Sequence, residues 1–178
     1  MNRQLLEQFE MALGRRNPIL ASRLRPGLSQ DRVRQLLQRA KVEGNVQPIV
    51  DLFIWKNGSD LDPGLTIHEA TPFPQSDYMF MDCEFMLFHF KKHETWSKYQ
   101  PPFMEVAGRY FPLFWNGQVS WLAVDLDVSN QSRVVFIEKR EEKLVREAYV
   151  SFDAFLEDAI QANENNDKLT CFQTNKVA

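Results

Sequence analysis

Leu5, Leu6, Phe9 and Leu13 fall on one helical face and Gly14 follows, so the spacing predicts an amphipathic helix over residues 2–13 that ends at the glycine. A second helix is predicted from Ser29, a residue suited to the N-cap, with Val33, Leu36, Leu37 and Ala40 on one side and an end near Gly44. A third opens at Pro48, turns Ile49, Leu52 and Phe53 inward and closes at Asn57-Gly58. Residues 59–77 are rich in Asp, Pro, Ser and Thr without a period, which predicts a long connection or lid. The apolar run from Tyr78 to Phe90 divides at Asp82, another good N-cap, into a short strand over 78–81 and a helix reaching about Tyr99.

From Phe111 the period changes to two. Segments 111–115 and 118–126 flank Asn116-Gly117, a strong hairpin signal. In the second arm Leu122, Val124 and Leu126 take one face, while Trp121, Ala123, Asp125 and Asp127 take the other. A strand apolar on both sides at its centre belongs inside a sheet. Segments 133–138 and 143–149 pair around a charged turn, and Ser151 caps a last helix with Phe152, Phe155, Leu156 and Ala159 as its stripe. This order predicts an α+β fold, a largely antiparallel sheet with helices packed on it. The expected layout is an accessory N-terminal helix (1–21), one α+β domain (22–163) and a polar C-terminal tail (164–178).

Composition narrows the function. With 178 residues, 44% of them apolar, one domain can bury roughly 70% of its unfolded surface. No stretch approaches the ~18 consecutive apolar residues of a membrane span, and Arg3, Glu7 and Glu10 interrupt the N-terminal apolar pattern as no secretory leader would, so a cytoplasmic protein is expected. Cys83 and Cys171 have no metal-type spacing and are expected as reduced thiols; Asp82 and Glu84 flank the first, a setting that raises a thiol pKa. The net charge of −3 hides a polarity: residues 1–50 carry nine Lys/Arg against four Asp/Glu, and the rest twelve against twenty. Few aromatics interleave the Arg-rich stretch, so direct nucleic-acid binding is not expected. The seven scattered glycines form no phosphate loop and no G-x-S-x-G motif is present, so neither a cofactor nor catalysis is expected.

Several segments, taken in order, resemble the SUKH superfamily, which includes fungal Smi/Knr-type regulators of cell-wall assembly and many bacterial immunity proteins. They are Leu24-Arg25-Pro26-Gly27-Leu28-Ser29, Leu52-Phe53-Ile54-Trp55-Lys56-Asn57-Gly58, Phe111-Pro112-Leu113-Phe114, Trp121 to Asp127, and Ser151-Phe152-Asp153-Ala154-Phe155-Leu156. The resemblance covers roughly residues 22–163 and rests on ordered elements more than on an invariant motif. It implies a non-catalytic α+β domain whose bacterial members mostly neutralise a cognate toxin, often a nuclease or deaminase, by protein contact. The N-terminal helix and the long connection before Tyr78 depart from the usual pattern.

Each candidate site has a plainer reading beside it. Asp125 and Asp127 share a strand face about 6 to 7 Å apart, within reach of acid/base work or a cation, or they mark a strand end where Asp125 accepts amides of the next turn. His89 and His93 share a helical face, but Lys91 and Lys92 between them repel a cation, and no metal is expected. Trp55 beside Asn57-Gly58 is a partner-facing anchor or, as favoured here, a helix end folded on the core with a left-handed cap; all three residues then read as structural family signature. The leading expectation is a protein-binding domain contacting a cognate toxin through Trp121, Asp125, Asp127, Glu141 and Glu142. A second is a small-ligand or enzyme pocket under residues 59–77, where His68 and Glu69 would meet Asp125 and Asp127. A third is a homodimer or larger homo-oligomer paired through exposed sheet or the N-terminal helix.

Overall fold

The structure is a computed structural model that describes residues 3–60, 66–139 and 144–173. Its first element, α1 (Arg3–Arg16), buries Leu6, Phe9, Ala12 and Leu13 as the spacing requires. It runs through Gly14 and stops only before Asn17, whose side chain accepts from the Leu20 N–H and caps α2 (Pro18–Ser22). A glycine costs a helix interior only about 1 kcal/mol, less than the contacts that the next turn makes. There follow β1 (Leu24–Pro26), α3 (Gln30–Arg39), α4 (Gln47–Trp55), β2 (Lys56–Ser59), α5 (Ile67–Ala70), α6 (Cys83–Ser97) and a 3₁₀ turn, Pro101–Glu105. A four-stranded antiparallel meander comes next, β3 (Tyr110–Trp115), β4 (Ser120–Asp125), β5 (Val134–Glu138) and β6 (Val145–Tyr149), before α7 (Phe152–Asn165) and α8 (Thr170–Gln173). The fold class is α+β, as the order of periods implies.

β4 is internal to the sheet and buried on both faces. Leu122 and Val124 join Phe111, Val134 and Phe136 in the larger core, where α1, α4 and α7 contribute Phe9, Phe53 and Phe155. Trp121 and Ala123 face the other way, into a smaller core with Tyr110, Val135 and Ile137 roofed by Phe103 and Val106. Trp115 pairs with Trp121 across the hairpin, so the connection is longer than the two-residue turn that Asn116-Gly117 favours. The Asn116 side chain still organises it by accepting from the Gln118 and Ser120 N–H groups at 3.0 Å each.

Four expectations need correction. The N-terminal helix is part of the core rather than an accessory: α1 lies along α7, with Arg15 paired to Glu164 at 2.7 Å and Arg16 bonded to Asn163. The C-terminal segment is not a solvated tail as far as it is described, because Leu169 and Cys171 are buried and Asn163 donates to Pro72 O and Ala159 O. The strand expected over 78–81 is reduced to one bridge, Met79 to Trp115. Residues 66–77 form no lid. Phe73 is fully buried against Phe9, Phe114 and Phe155, and the Thr71 hydroxyl bonds Ser76 and the Tyr78 carbonyl at 2.8 and 2.6 Å.

Pro26-Gly27-Leu28-Ser29 explains itself by close approach. The Leu28 N–H donates to Phe53 O at 2.9 Å, satisfying a carbonyl near the end of α4 that has no partner within the helix. A Cβ on Gly27 would lie 1.7 Å from Ile54 O, a backbone atom that cannot step aside. Gly27→Ala is therefore expected to destabilise the protein by about 3 kcal/mol. Gly14→Ala, whose Cβ would meet nothing nearer than 3.9 Å inside a helix, is expected to stabilise it by about 0.5 to 1 kcal/mol. Urea unfolding midpoints of the two variants check both signs.

Candidate functional site

Asp125 ends β4 with its side chain fully buried. Arg109 immediately precedes β3 and Arg133 immediately precedes β5, and in an antiparallel sheet both lie at the end where β4 finishes. Arg109 reaches Asp125 with Nε at 3.3 Å and Nη2 at 3.2 Å, and Arg133 Nε reaches it at 2.8 Å. The Asp127 N–H adds a bond of 3.0 Å. Burial pushes this carboxyl up, but the bonds from Arg109, the Asp127 amide and Arg133 outweigh it and hold the pKa below the ordinary carboxylate value. Asp127, exposed, accepts from the Ser129 amide and hydroxyl and caps the short turn after β4. The pair is thus the strand-end arrangement, with Asp125 engaged on both oxygens and not free to act as a base.

The structure separates the other expected site residues. Trp121 is fully buried among His89, His93 and Trp96, so it cannot line a partner surface; neither can the Asp125 carboxylate. Asp127 alone of those described is exposed, and Glu141 and Glu142 lie outside the described residues. The His68 side chain is also outside them. Glu69 is held in a capping box with Thr66, which lowers its pKa through the Thr66 backbone and hydroxyl bonds, and its partners are not those of Asp125.

Asn57 and Gly58 are structural, by a different device from the expected cap, while Trp55 is only half-buried at the end of α4. α4 ends on Lys56 in an extended conformation, and the chain continues as β2 beside β1. Gly58 has φ +78°, and a Cβ there would meet Asp82 N at 2.6 Å, so β2 can press against the segment entering α6. Asn57 Oδ1 accepts from the Cys83 N–H at 3.1 Å while Asp82 accepts from Phe85 at 2.7 Å, and together they cap α6. Cys83 is buried, and burial with Asp82 and Glu84 nearby pushes its thiol up to about 12, the inert state its neighbours predict.

The groove that sequence reasoning missed lies between α1, α4 and the start of α3. It measures about 460 Å³; Leu6, Ile54 and Trp55 make its apolar part, and Arg3, Glu7, Glu10, Asp51 and Lys56 its charged part. Trp55 is half-buried, stacked on Phe80 and tilted against Phe9, and its Nε1–H donates to Glu10 Oε2 at 2.9 Å. Lys56 binds the other oxygen of Glu10 at 2.8 Å. The only advance sign was Trp55 itself, because the partner helix lies more than forty positions away in sequence.

Against the second face of β4, α6 sets His89 and His93 one turn apart as expected. Both are buried, and His93 Nδ1 and Nε2, His89 Nδ1 and Trp121 Nε1 have no hydrogen-bond partner among the described residues. Among the described residues no three His, Cys, Asp or Glu side chains gather as a metal site, and no helix is long and apolar enough to cross a membrane. A comparison with models of known protein families finds no match, and no curated protein matches the chain either.

Two outcomes follow from this geometry. Burial, helped by Lys92, lowers the His89 pKa to about 4, and burial, with His89 and Lys92, lowers that of His93 to about 3, from an ordinary 6.5. The unfolded chain binds these protons more readily, so stability is complete above about pH 6.5 and falls as pH drops toward the folded values, by up to about 1.4 kcal/mol per pH unit per histidine. Urea titrations between pH 7.5 and 5, above the carboxylate range, are expected to show that slope in the native protein and about half of it in His93→Phe. Asp125→Ala, which leaves two half-exposed guanidiniums without their shared acceptor, is expected to cost about 2 to 3 kcal/mol in the same assay at pH 7.5.

Proposed function

We propose that the chain is a non-catalytic protein-recognition domain that works in the cytoplasm, in the manner of the bacterial immunity branch of the SUKH superfamily, by covering a cognate toxin. The observation that carries this reading is the groove beside Trp55: an apolar floor containing a half-buried tryptophan, and a rim whose carboxylates are already engaged, Glu7 by Arg3, Glu10 by Lys56 and Trp55, and Asp51 by Gln47. A central aromatic with a polar margin is the anatomy of a protein contact. The groups that invited a catalytic reading support it as well. Asp125 is held by two arginines, Asp127 caps a turn, Cys83 is an inert thiol, and both described histidines are neutral in an aromatic interior. The acidic excess beyond residue 50 suits a basic partner such as a nuclease.

A photo-crosslinking amino acid at Gln30 or Glu7 on the groove rim, set against one at Glu157 on α7, tests the proposal in the native host. The rim positions are expected to trap one protein in stoichiometric yield, with toxic activity that disappears in the reconstituted complex. Glu7→Lys with Asp51→Lys is expected to weaken that complex at least about tenfold without lowering the melting temperature. Crosslinks only to a second copy of the chain, or a partner that stays fully active when bound, would sink the reading.

A further inference from the structure

Three of the seven large apolar side chains left in solvent among the described residues, Phe88, Tyr99 and Met104, lie on α6 or shortly after it. Phe88, 59% exposed, and Tyr99, 80% exposed, are the two aromatics among them, and Met104 follows in the 3₁₀ turn. Lys92 stands one turn beyond Phe88, with Nζ 5.7 Å from that ring centroid and 4.9 Å from the centroid of Trp96. Lys139, just past the end of β5, brings a second Nζ within 4.7 Å of the same Trp96 ring. Neither ammonium has a carboxylate partner among the described residues. Glu94 already holds Lys91 through both oxygens at 2.9 Å, and Glu138, next to Lys139, faces the opposite side of the sheet beside Tyr78 and Phe136.

Two ammonium groups at one ring concentrate positive charge there, and the ring's quadrupole offsets their mutual repulsion only in part. External anions beside them reduce it, while the exposed rings nearby gain by leaving water. We propose that this face docks an acidic polypeptide segment, with its carboxylates at Lys92 and Lys139 and its apolar side chains against the exposed rings of Phe88 and Tyr99. The site offers two ammonium groups that no carboxylate of the described residues holds, with Lys98 nearby in sequence, enough for a short acidic segment. A nucleic-acid backbone, with a charge every ~1.7 Å, would call for a longer run of cations than these lysines supply. A flat anionic membrane would press on Glu94 and the exposed Glu105 that border the patch. The inference rests on the reading of the chain as a protein-recognition domain and uses none of the residues that line the Trp55 groove.

The test is fluorescence anisotropy of a labelled Glu-Asp-Phe-Asp-Glu peptide titrated with the full chain at low and high salt. The native protein is expected to bind, and the pair Lys92→Glu and Lys139→Glu to weaken binding at least about tenfold, as does raising salt from roughly 25 to 250 mM. The pair Lys92→Arg and Lys139→Arg, which keeps both charges, is expected to retain it, and thermal melts confirm that each variant folds. Equal binding by native and charge-reversed protein overturns the proposal. So does the absence of peptide binding, whether or not oligothymidylate or phosphatidylserine vesicles bind in its place. Groove crosslinks to a partner that persist while the peptide fails would remove this inference alone; loss of the groove complex would remove the wider reading.

Discussion

β4 is buried on both faces, and that obliges the chain to build two covers instead of one. Helices α1, α4 and α7 form the first over Leu122 and Val124, and the second half of α6 with the 3₁₀ turn forms the other over Trp121 and Ala123. α6 serves both because it lies along the edge strand β3: Met86 and Phe90 enter the larger core, while His89 and His93 turn toward Trp121. The ends of the sheet must then agree. Asp125 draws a guanidinium from in front of each neighbouring strand, so one carboxylate ties the termini of three strands to a common level. A slip of β3 or β5 by one residue would break that triad and also exchange the two apolar faces.

Much of this was legible because each signal was local. Ser29, Asp82 and Ser151 cap helices where their side chains predicted it, and the alternation through Trp121 to Leu126 divided the strand between two interiors. What was not legible depended on partners distant in the chain. Gly14 carried a stop signal overridden by Arg15 and Arg16 reaching α7, about 150 positions away. The segment 164–178 looked like a tail because nothing in its polar start shows that Leu169 and Cys171 are buried. Trp121 looked like a contact residue because a lone strand cannot reveal that α6 folds over it.

The polar interior is divided by chemistry. Near Asp125 the buried charge is compensated on every side, by guanidiniums and an amide, and the group stays ionised. Beneath α6 the polar atoms are left without hydrogen bonds, and the imidazoles stay neutral because the surrounding rings cannot solvate a cation. The first arrangement fixes register; the second leaves α6 packed on Trp121 without a hydrogen bond from either His93 nitrogen or the indole N–H.

Three of the four tryptophans, Trp96, Trp115 and Trp121, pack around the two histidines, and Trp55 sits apart on the other side of the sheet. The molecule therefore carries its own optical label on one layer. Its ultraviolet emission is dominated by the smaller core, whereas its far-ultraviolet dichroism is dominated by helices that mostly belong to the larger. If the two layers ever come apart in sequence rather than together, the two signals will separate without any dye or mutation.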